Sequence, residues 1–95
     1  MGIFGDKAIS RELAIHNRLG MHARPAALFV QTACRFSADI SVKKDKQVID
    51  GKSILGLLML AAGQGTRLTV SARGADAVEA LNALEKLITG KFGEE

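Results

Sequence analysis

Each strand-like segment of this chain has one apolar face and one polar face. In residues 67–72, for example, Leu68, Val70 and Ala72 alternate with polar side chains. Because successive side chains of a strand point to opposite faces, this pattern predicts a strand that buries one face only. The same alternation predicts further strands over 11–16, 39–43 and 47–50. A sheet of such strands must be covered on one side and exposed to water on the other.

Three other stretches have apolar residues at helical spacing. The first predicts a helix over about 23–36, and the second predicts a short helix over 54–60 that begins after Ser53 as its N-cap. The third predicts a helix over about 75–89 that ends at Gly90. The apolar face predicted for this last helix consists of Val78, Leu81, Leu84 and Ile88.

The resulting order of elements is β-α-β-β-α-β-α. It indicates an α+β open-faced β-sandwich, in which three helices cover one face of a four-stranded antiparallel sheet. With 95 residues the chain is long enough for one domain with one core. We expect a single domain over 1–95, with a core over about 11–90 and an N-terminal extension over 1–10.

Composition excludes several classes of function. The net charge is +3 with scattered basic residues, and Phe is the only aromatic residue type, so we expect no nucleic-acid partner. Cys34 is the only cysteine, and no spacing of ligands suggests a metal or another cofactor. We expect its thiol to be buried in the first helix. No signal-peptide pattern is present, and the longest apolar run, 54–62, is too short to cross a bilayer, so we expect a cytoplasmic protein.

Residues 20–26, Gly-Met-His-Ala-Arg-Pro-Ala, lie where a loop becomes the first helix. The first N–H groups of a helix have no intrahelical acceptor, so those of Ala23 and Arg24 can bind phosphate oxygens. The imidazole of His22 can accept a phosphoryl group, and the guanidinium of Arg24 can stabilise its charge. Taken alone, the two side chains are more typical of a polar cap and a solvated arginine.

Residues 20–26 resemble the active-site signature of HPr, the histidine-containing phosphocarrier family of the bacterial phosphoenolpyruvate-dependent phosphotransferase system. Residues 51–60 resemble the second signature of that family, around its regulatory serine. The resemblance extends over about 11–88, and the two motifs occur in the family's order. The family's open-faced β-sandwich also has the order of elements predicted above.

This resemblance implies a phosphoryl relay and not a self-contained enzyme. His22 would be phosphorylated on Nδ1 by phosphorylated Enzyme I, with Arg24 stabilising the transferred group. An EIIA-type domain of the sugar branch or of the nitrogen branch would be the acceptor. We expect the carrier itself to be a monomer.

The second signature implies regulation and docking. Ser53 would be phosphorylated by an HPr kinase/phosphorylase, and Ile54, Leu55 and Leu58 would bind protein partners. For Ile54, a core position is equally compatible with the pattern, whereas Leu57 and Leu60 are predicted to be core residues.

Two alternatives belong to other functional classes. The first is a regulatory binding protein that acts through phosphorylated Ser53 on a transcription regulator, with His22 incidental. The presence of both His22 and Arg24 argues against that as the sole role. The second is a ferredoxin-like domain that binds a small ligand in a concave pocket, for which the sequence contains no signal.

Overall fold

A computed structural model describes residues 7–94 of the chain. Four strands form one antiparallel sheet in the order β1-β4-β2-β3, and the predicted fold class is confirmed. A short 3₁₀ turn at Lys91–Gly93 follows the last helix. The elements are β1 (Ile9–Ala14), α1 (Ala23–Ala33), β2 (Asp39–Lys44), β3 (Gln47–Asp50), α2 (Ile54–Met59), β4 (Arg67–Arg73) and α3 (Ala77–Thr89).

The sheet has the two unlike faces that the alternation predicts. β4 lies between β1 and β2, with Leu68 opposite Leu13 and Val70 opposite Val42. Leu68, Val70 and Val42 are fully buried against the helices. On the opposite face, the hydroxyls of Ser10 and Ser71 form a hydrogen bond of 2.7 Å. This face carries polar side chains, so the apolar faces of the helices pack on one side of the sheet only.

The helices fill the other side of the core. Ala26, Phe29 and Ala33 of α1 are buried, and so is Leu57 of α2. Leu60, directly after α2, is also buried, so both predicted core leucines of this segment are confirmed. α1 packs against both α2 and α3, and α3 also packs against β1 and β4. α1 is therefore held between two other helices.

Asp76 connects the beginning of α3 to the loop between α1 and β2. Its carboxylate accepts hydrogen bonds from the backbone N–H groups of Ser37 (2.9 Å) and Ala38 (2.8 Å). The backbone hydrogen bond from Ser37 lowers the pKa of Asp76, and the bond from Ala38 lowers it further. Burial of the carboxyl has the opposite effect and is the weaker influence overall. The ionised carboxylate thus stabilises the folded contact between these two segments.

The structure changes the bounds of β1 and of the N-terminal extension. β1 begins at Ile9, two residues before the predicted start, because β4 extends to Arg73 and its Ala72 pairs with Ile9. Residues 9 and 10 therefore belong to the sheet and not to an extension. β1 also ends at Ala14, two residues before the predicted end at residue 16. Residues 1–6 of the predicted extension lie outside the described residues. At the other end, buried Phe92 extends the core beyond residue 90.

Four predictions about helix faces, helix ends and burial were wrong. Val78 is 53% exposed, because the buried stripe of α3 is centred on Ala77, Ala80, Leu81, Leu84 and Ile88, and Val78 lies to one side of it. α1 ends at Ala33, short of Phe36, and α3 begins at Ala77 rather than Ala75. Cys34 is exposed at the end of α1, not buried.

Candidate functional site

His22 is the N-cap residue of α1 and has an extended backbone. Its side chain makes no capping hydrogen bond to the helix, although its carbonyl oxygen accepts the first helical bond, from Ala26 (3.0 Å). The N–H groups of the first turn, including those of Ala23 and Arg24, have no acceptor within the helix. The imidazole is 37% exposed. A nucleophilic ring therefore lies at an uncapped, electropositive helix terminus.

A tight loop places His22 at this position. The side chain of Asn17 is fully buried, and its Nδ2 donates a hydrogen bond of 2.7 Å to the carbonyl of Gly20. Gly20 has φ +72°, and a Cβ there would lie 2.5 Å from the carbonyl oxygen of Ala62. The N–H of Met21 donates to that same carbonyl at 2.8 Å. Glycine is thus required where the loop passes closest to its neighbour.

The C-terminal turn brings a carboxylate to His22. Lys91 and Phe92 both have positive φ, and the side chain of Phe92 is buried. These two residues reverse the chain after α3, so that Glu94 returns to the beginning of α1. The Oε2 of Glu94 lies 3.1 Å from Nε2 of His22, and its Oε1 lies 3.3 Å from the same nitrogen.

Arg24 and Asn17 bind the same tail. Nη1 of Arg24 donates to the carbonyl of Phe92 (2.9 Å) and to Oε2 of Glu94 (3.1 Å). Nδ2 of Asn17 donates to Oε1 of Glu94 at 3.0 Å. His22 and Arg24 are thus joined through a carboxylate that lies 72 and 70 residues away from them along the chain.

The pKa of Glu94 reflects these contacts. Partial burial raises it, but the hydrogen bonds from Asn17, His22 and Arg24, together with the charge of the imidazole when that ring is protonated, outweigh burial and lower the pKa below its usual value. The carboxylate is therefore ionised at neutral pH.

Sequence reasoning did not identify Asn17, Phe92 or Glu94 as part of this site. Asn17 lies five residues before His22 in a loop, where an asparagine is ordinary. The tail offered one signal: one lysine after the predicted helix end at Gly90, the chain continues with an aromatic residue, a glycine and an acidic residue. An apolar Phe92 at that point indicates that the chain returns to the core.

The second predicted motif has the expected local structure. The hydroxyl of Ser53 accepts a hydrogen bond from the N–H of Gly56 (3.0 Å), so the predicted N-cap of α2 is confirmed. Ile54, Leu55 and Leu58 are 42%, 68% and 38% exposed, and this exposure answers the question left open for Ile54. We call these three side chains the apolar patch. Exposed apolar groups of this kind are typical of protein-binding surfaces.

Within residues 7–94, no group of three or more histidine, cysteine or acidic side chains could hold a metal ion. None of the helices described above is long and apolar enough to cross a membrane.

Comparisons with known proteins agree on one family. Residues 9–90 match the PTS-HPr family model, described as the PTS HPr component phosphorylation site. The phosphocarrier protein HPr of Neisseria meningitidis is 45% identical over 86 residues, which cover 90% of this chain and 97% of that protein. The HPr-like protein Crh of Bacillus subtilis is 43% identical over 76 residues, covering 80% and 89% of the two chains. The crystal structure of HPr-C-His from Thermoanaerobacter tengcongensis superposes with a TM-score of 0.89 and 49% identity, covering 92% of this chain and 98% of that chain.

Proposed function

The chain belongs to the PTS-HPr family, and on this premise we propose that it carries a phosphoryl group on His22 between phosphorylated Enzyme I and an EIIA-type domain. The observation that carries this proposal is the uncapped imidazole at the beginning of α1. A side chain that capped its own helix would have to break that capping hydrogen bond before reacting, and His22 makes no capping bond.

The chemistry is an in-line displacement at phosphorus. The lone pair of a ring nitrogen of His22 forms the N–P bond while the donor's bond to phosphorus breaks, and that electron pair stays with the donor's leaving atom. The backbone N–H groups of Ala23 and Arg24 bind phosphoryl oxygens at the helix terminus. In the second transfer phosphorylated His22 is the donor: a nucleophile of the EIIA-type domain forms the new bond to phosphorus, and the electron pair of the N–P bond returns to His22. The protein acts as a relay without completing a catalytic cycle alone.

Arg24 is available for this reaction. Its guanidinium is 56% exposed, and its contacts to the tail use Nη1. Among the described residues, its Nη2 and Nε donate no hydrogen bond, so these groups can bind a phosphoryl oxygen while Nη1 stays anchored. Arg24 would thus stabilise transferred charge without leaving the tail.

The apolar patch is the proposed docking surface for Enzyme I and the EIIA-type domain. Ser53 is the proposed regulatory site, phosphorylated by an HPr kinase/phosphorylase at the expense of ATP. A phosphate there would add a charge of about −2 next to the patch while still accepting from the first turn of α2. It would therefore weaken docking by desolvation cost and by repulsion of acidic surfaces, without unfolding the helix. We place this relay in the cytoplasm, in either the sugar or the nitrogen branch.

Incubation with phosphoenolpyruvate and Enzyme I tests the carrier function. We expect one acid-labile phosphoryl group per chain, which His22→Ala abolishes. The matched control is His16→Ala, because His16 is exposed in the preceding loop and is not among the residues around Glu94. Continued labelling of the His22→Ala variant would contradict the site, and an unlabelled wild-type chain would contradict the carrier function.

Incubation with ATP and an HPr kinase tests the regulatory site. We expect an acid-stable phosphoester that Ser53→Ala removes and Ser41→Ala, on the polar sheet face, retains. The alternative function, a regulatory binding protein acting through phosphorylated Ser53 on a transcription regulator, predicts this phosphoester together with no acceptance of a phosphoryl group at His22. The relative named HPr-like protein Crh makes that comparison worthwhile.

A further inference from the structure

One ring nitrogen of His22 faces a carboxylate. Nε2 lies 3.1 Å from Oε2 and 3.3 Å from Oε1 of Glu94, both within hydrogen-bond distance. An ionised carboxylate has acceptors and no donor, so the nitrogen that faces it must carry the proton. A neutral imidazole has one N–H group only. The contact therefore favours the tautomer with the proton on Nε2 and the lone pair on Nδ1.

The carboxylate is held independently of the histidine. Asn17, whose side chain is fully buried, donates to Oε1 at 3.0 Å, and Arg24 donates to Oε2 at 3.1 Å. The buried Phe92 anchors the turn that precedes Glu94, and its carbonyl accepts a second bond from Arg24 at 2.9 Å. Three groups thus fix the orientation of the carboxylate before the imidazole binds it. Such a partner can orient a ring, whereas a freely rotating surface glutamate could not.

We propose that Glu94 is a positioning residue for His22, which holds the imidazole in the tautomer whose Nδ1 is the nucleophile. This inference rests on the proposed carrier function and names the residue that prepares its nucleophile. Glu94 itself touches neither the donor nor the phosphoryl group. It acts through the ring nitrogen opposite the one that reacts.

The same contact stabilises the phosphorylated state. When Nδ1 forms its bond to phosphorus and Nε2 keeps its proton, the ring becomes cationic. The hydrogen bond to Glu94 is then charge-assisted on both sides and becomes stronger. When the acceptor takes the phosphoryl group, the electron pair of the N–P bond returns to Nδ1. The proton on Nε2 does not move in either step, so the relay needs no separate proton donor.

The Glu94→Gln variant tests the proposal, since it preserves shape while replacing an acceptor-only group with an amide that can also donate. Ring-nitrogen NMR shifts of isotope-labelled, unphosphorylated protein report the tautomer directly. We expect the Nε2–H tautomer to predominate in the wild-type chain, and a mixture of both tautomers in the variant. The rate of phosphoryl acceptance should fall on the order of tenfold, the lower end of the effect seen when an orienting carboxylate is removed from a metal-binding histidine.

Glu85→Gln is the matched control, because it removes the same charge from α3 and breaks only the contact with Arg11 (2.8 Å). It should change neither the tautomer nor the rate. An unchanged tautomer in Glu94→Gln would overturn the proposal. Faster acceptance in that variant would also overturn it, since this result would mean that the carboxylate competes with the incoming phosphoryl group. The NMR measurements of the tautomer use unphosphorylated protein. Their outcome therefore does not depend on whether the protein carries a phosphoryl group.

Discussion

The three α-helices within residues 7–94 begin with three different N-cap residues, and only one of these side chains caps its own helix. The hydroxyl of Ser53 accepts from Gly56 in the first turn of α2. The side chains of His22 and Asp76 make no such bond to α1 and α3. His22 contacts the tail at Glu94, and Asp76 binds the loop at Ser37 and Ala38.

The difference shows how each side chain contributes. Ser53 stabilises its own helix by about 1 kcal/mol, the usual contribution of an N-cap. Asp76 connects two segments of the fold, so its contribution is to tertiary structure. His22 contributes no capping hydrogen bond at the beginning of α1. The first N–H groups of that helix therefore stay available to an anion from another molecule. The carrier function that we propose for His22 would therefore use a helix terminus that has no side-chain cap.

Replacing His22 by a residue that can cap α1 should remove the difference between α1 and α2, and we expect the largest effect from this change. His22→Ser should abolish acid-labile phosphorylation, because the hydroxyl cannot form a phosphohistidine. The free energy of unfolding should rise by up to about 1 kcal/mol, since serine can accept from the first turn of α1. Phosphorylation assays and urea denaturation measure the two effects, with His16→Ser as the control. A clear loss of stability would mean that the Glu94 contact outweighs a cap.

Arg24→Ala should have the next largest effect. We expect phosphoryl acceptance from Enzyme I to slow on the order of a hundredfold, the usual effect of removing one donor to a developing charge. Initial rates of labelling measure this, and Arg18→Ala, an exposed arginine of the preceding loop, is the control. Equal rates in Arg24→Ala and the wild-type chain would mean that Arg24 only binds Phe92 and Glu94 and does not take part in phosphoryl transfer.

Ser53→Ala should affect stability and leave the carrier function intact. Loss of the bond from Gly56 should lower the free energy of unfolding by about 1 kcal/mol, while labelling of His22 proceeds at the wild-type rate. Urea denaturation with parallel labelling distinguishes the two functions. A strong decrease in the labelling rate would indicate that Ser53 contributes to donor docking even without a phosphate.

Asp76→Asn should have the smallest effect, and one that depends on pH. The pKa of Asp76 is lower in the folded chain than in the unfolded chain. Its ionised carboxylate therefore stabilises the fold at every pH above the pKa of an unfolded aspartate. That stabilisation is lost as the pH falls through the pKa of the folded chain. The variant should therefore be less stable than wild type at pH 7, and the difference should shrink below about pH 4.

Urea denaturation at pH 7 and pH 3 measures that difference. Asp45→Asn is the control, because Asp45 has φ +54° in an exposed turn, which asparagine also tolerates. A difference that stays constant with pH would mean that the asparagine amide, not the lost charge, weakens the contact.

Local patterns in the sequence determined much of this fold. Alternation at Leu68, Val70 and Ala72 and helical spacing at Leu81, Leu84 and Ile88 require only that each element bury its apolar face. The hydroxyl of Ser53 is likewise a local signal, since it binds three residues away. For the same reason His22 could be placed at the beginning of a helix from the sequence alone.

Tertiary structure decided what depends on contacts between distant residues. Ile9 belongs to β1 because β4 offers Ala72 opposite it, and Val78 is exposed because α3 turns Ala77 and Ala80 toward the core. Most of all, the pairing of His22 with Glu94 crosses 72 residues and depends on the turn at Phe92. Periodicity carries no information about such a contact, because it arises only when the chain packs. The sequence by itself therefore determined where the histidine lies, and the packed chain decided which of its ring nitrogens contacts a carboxylate.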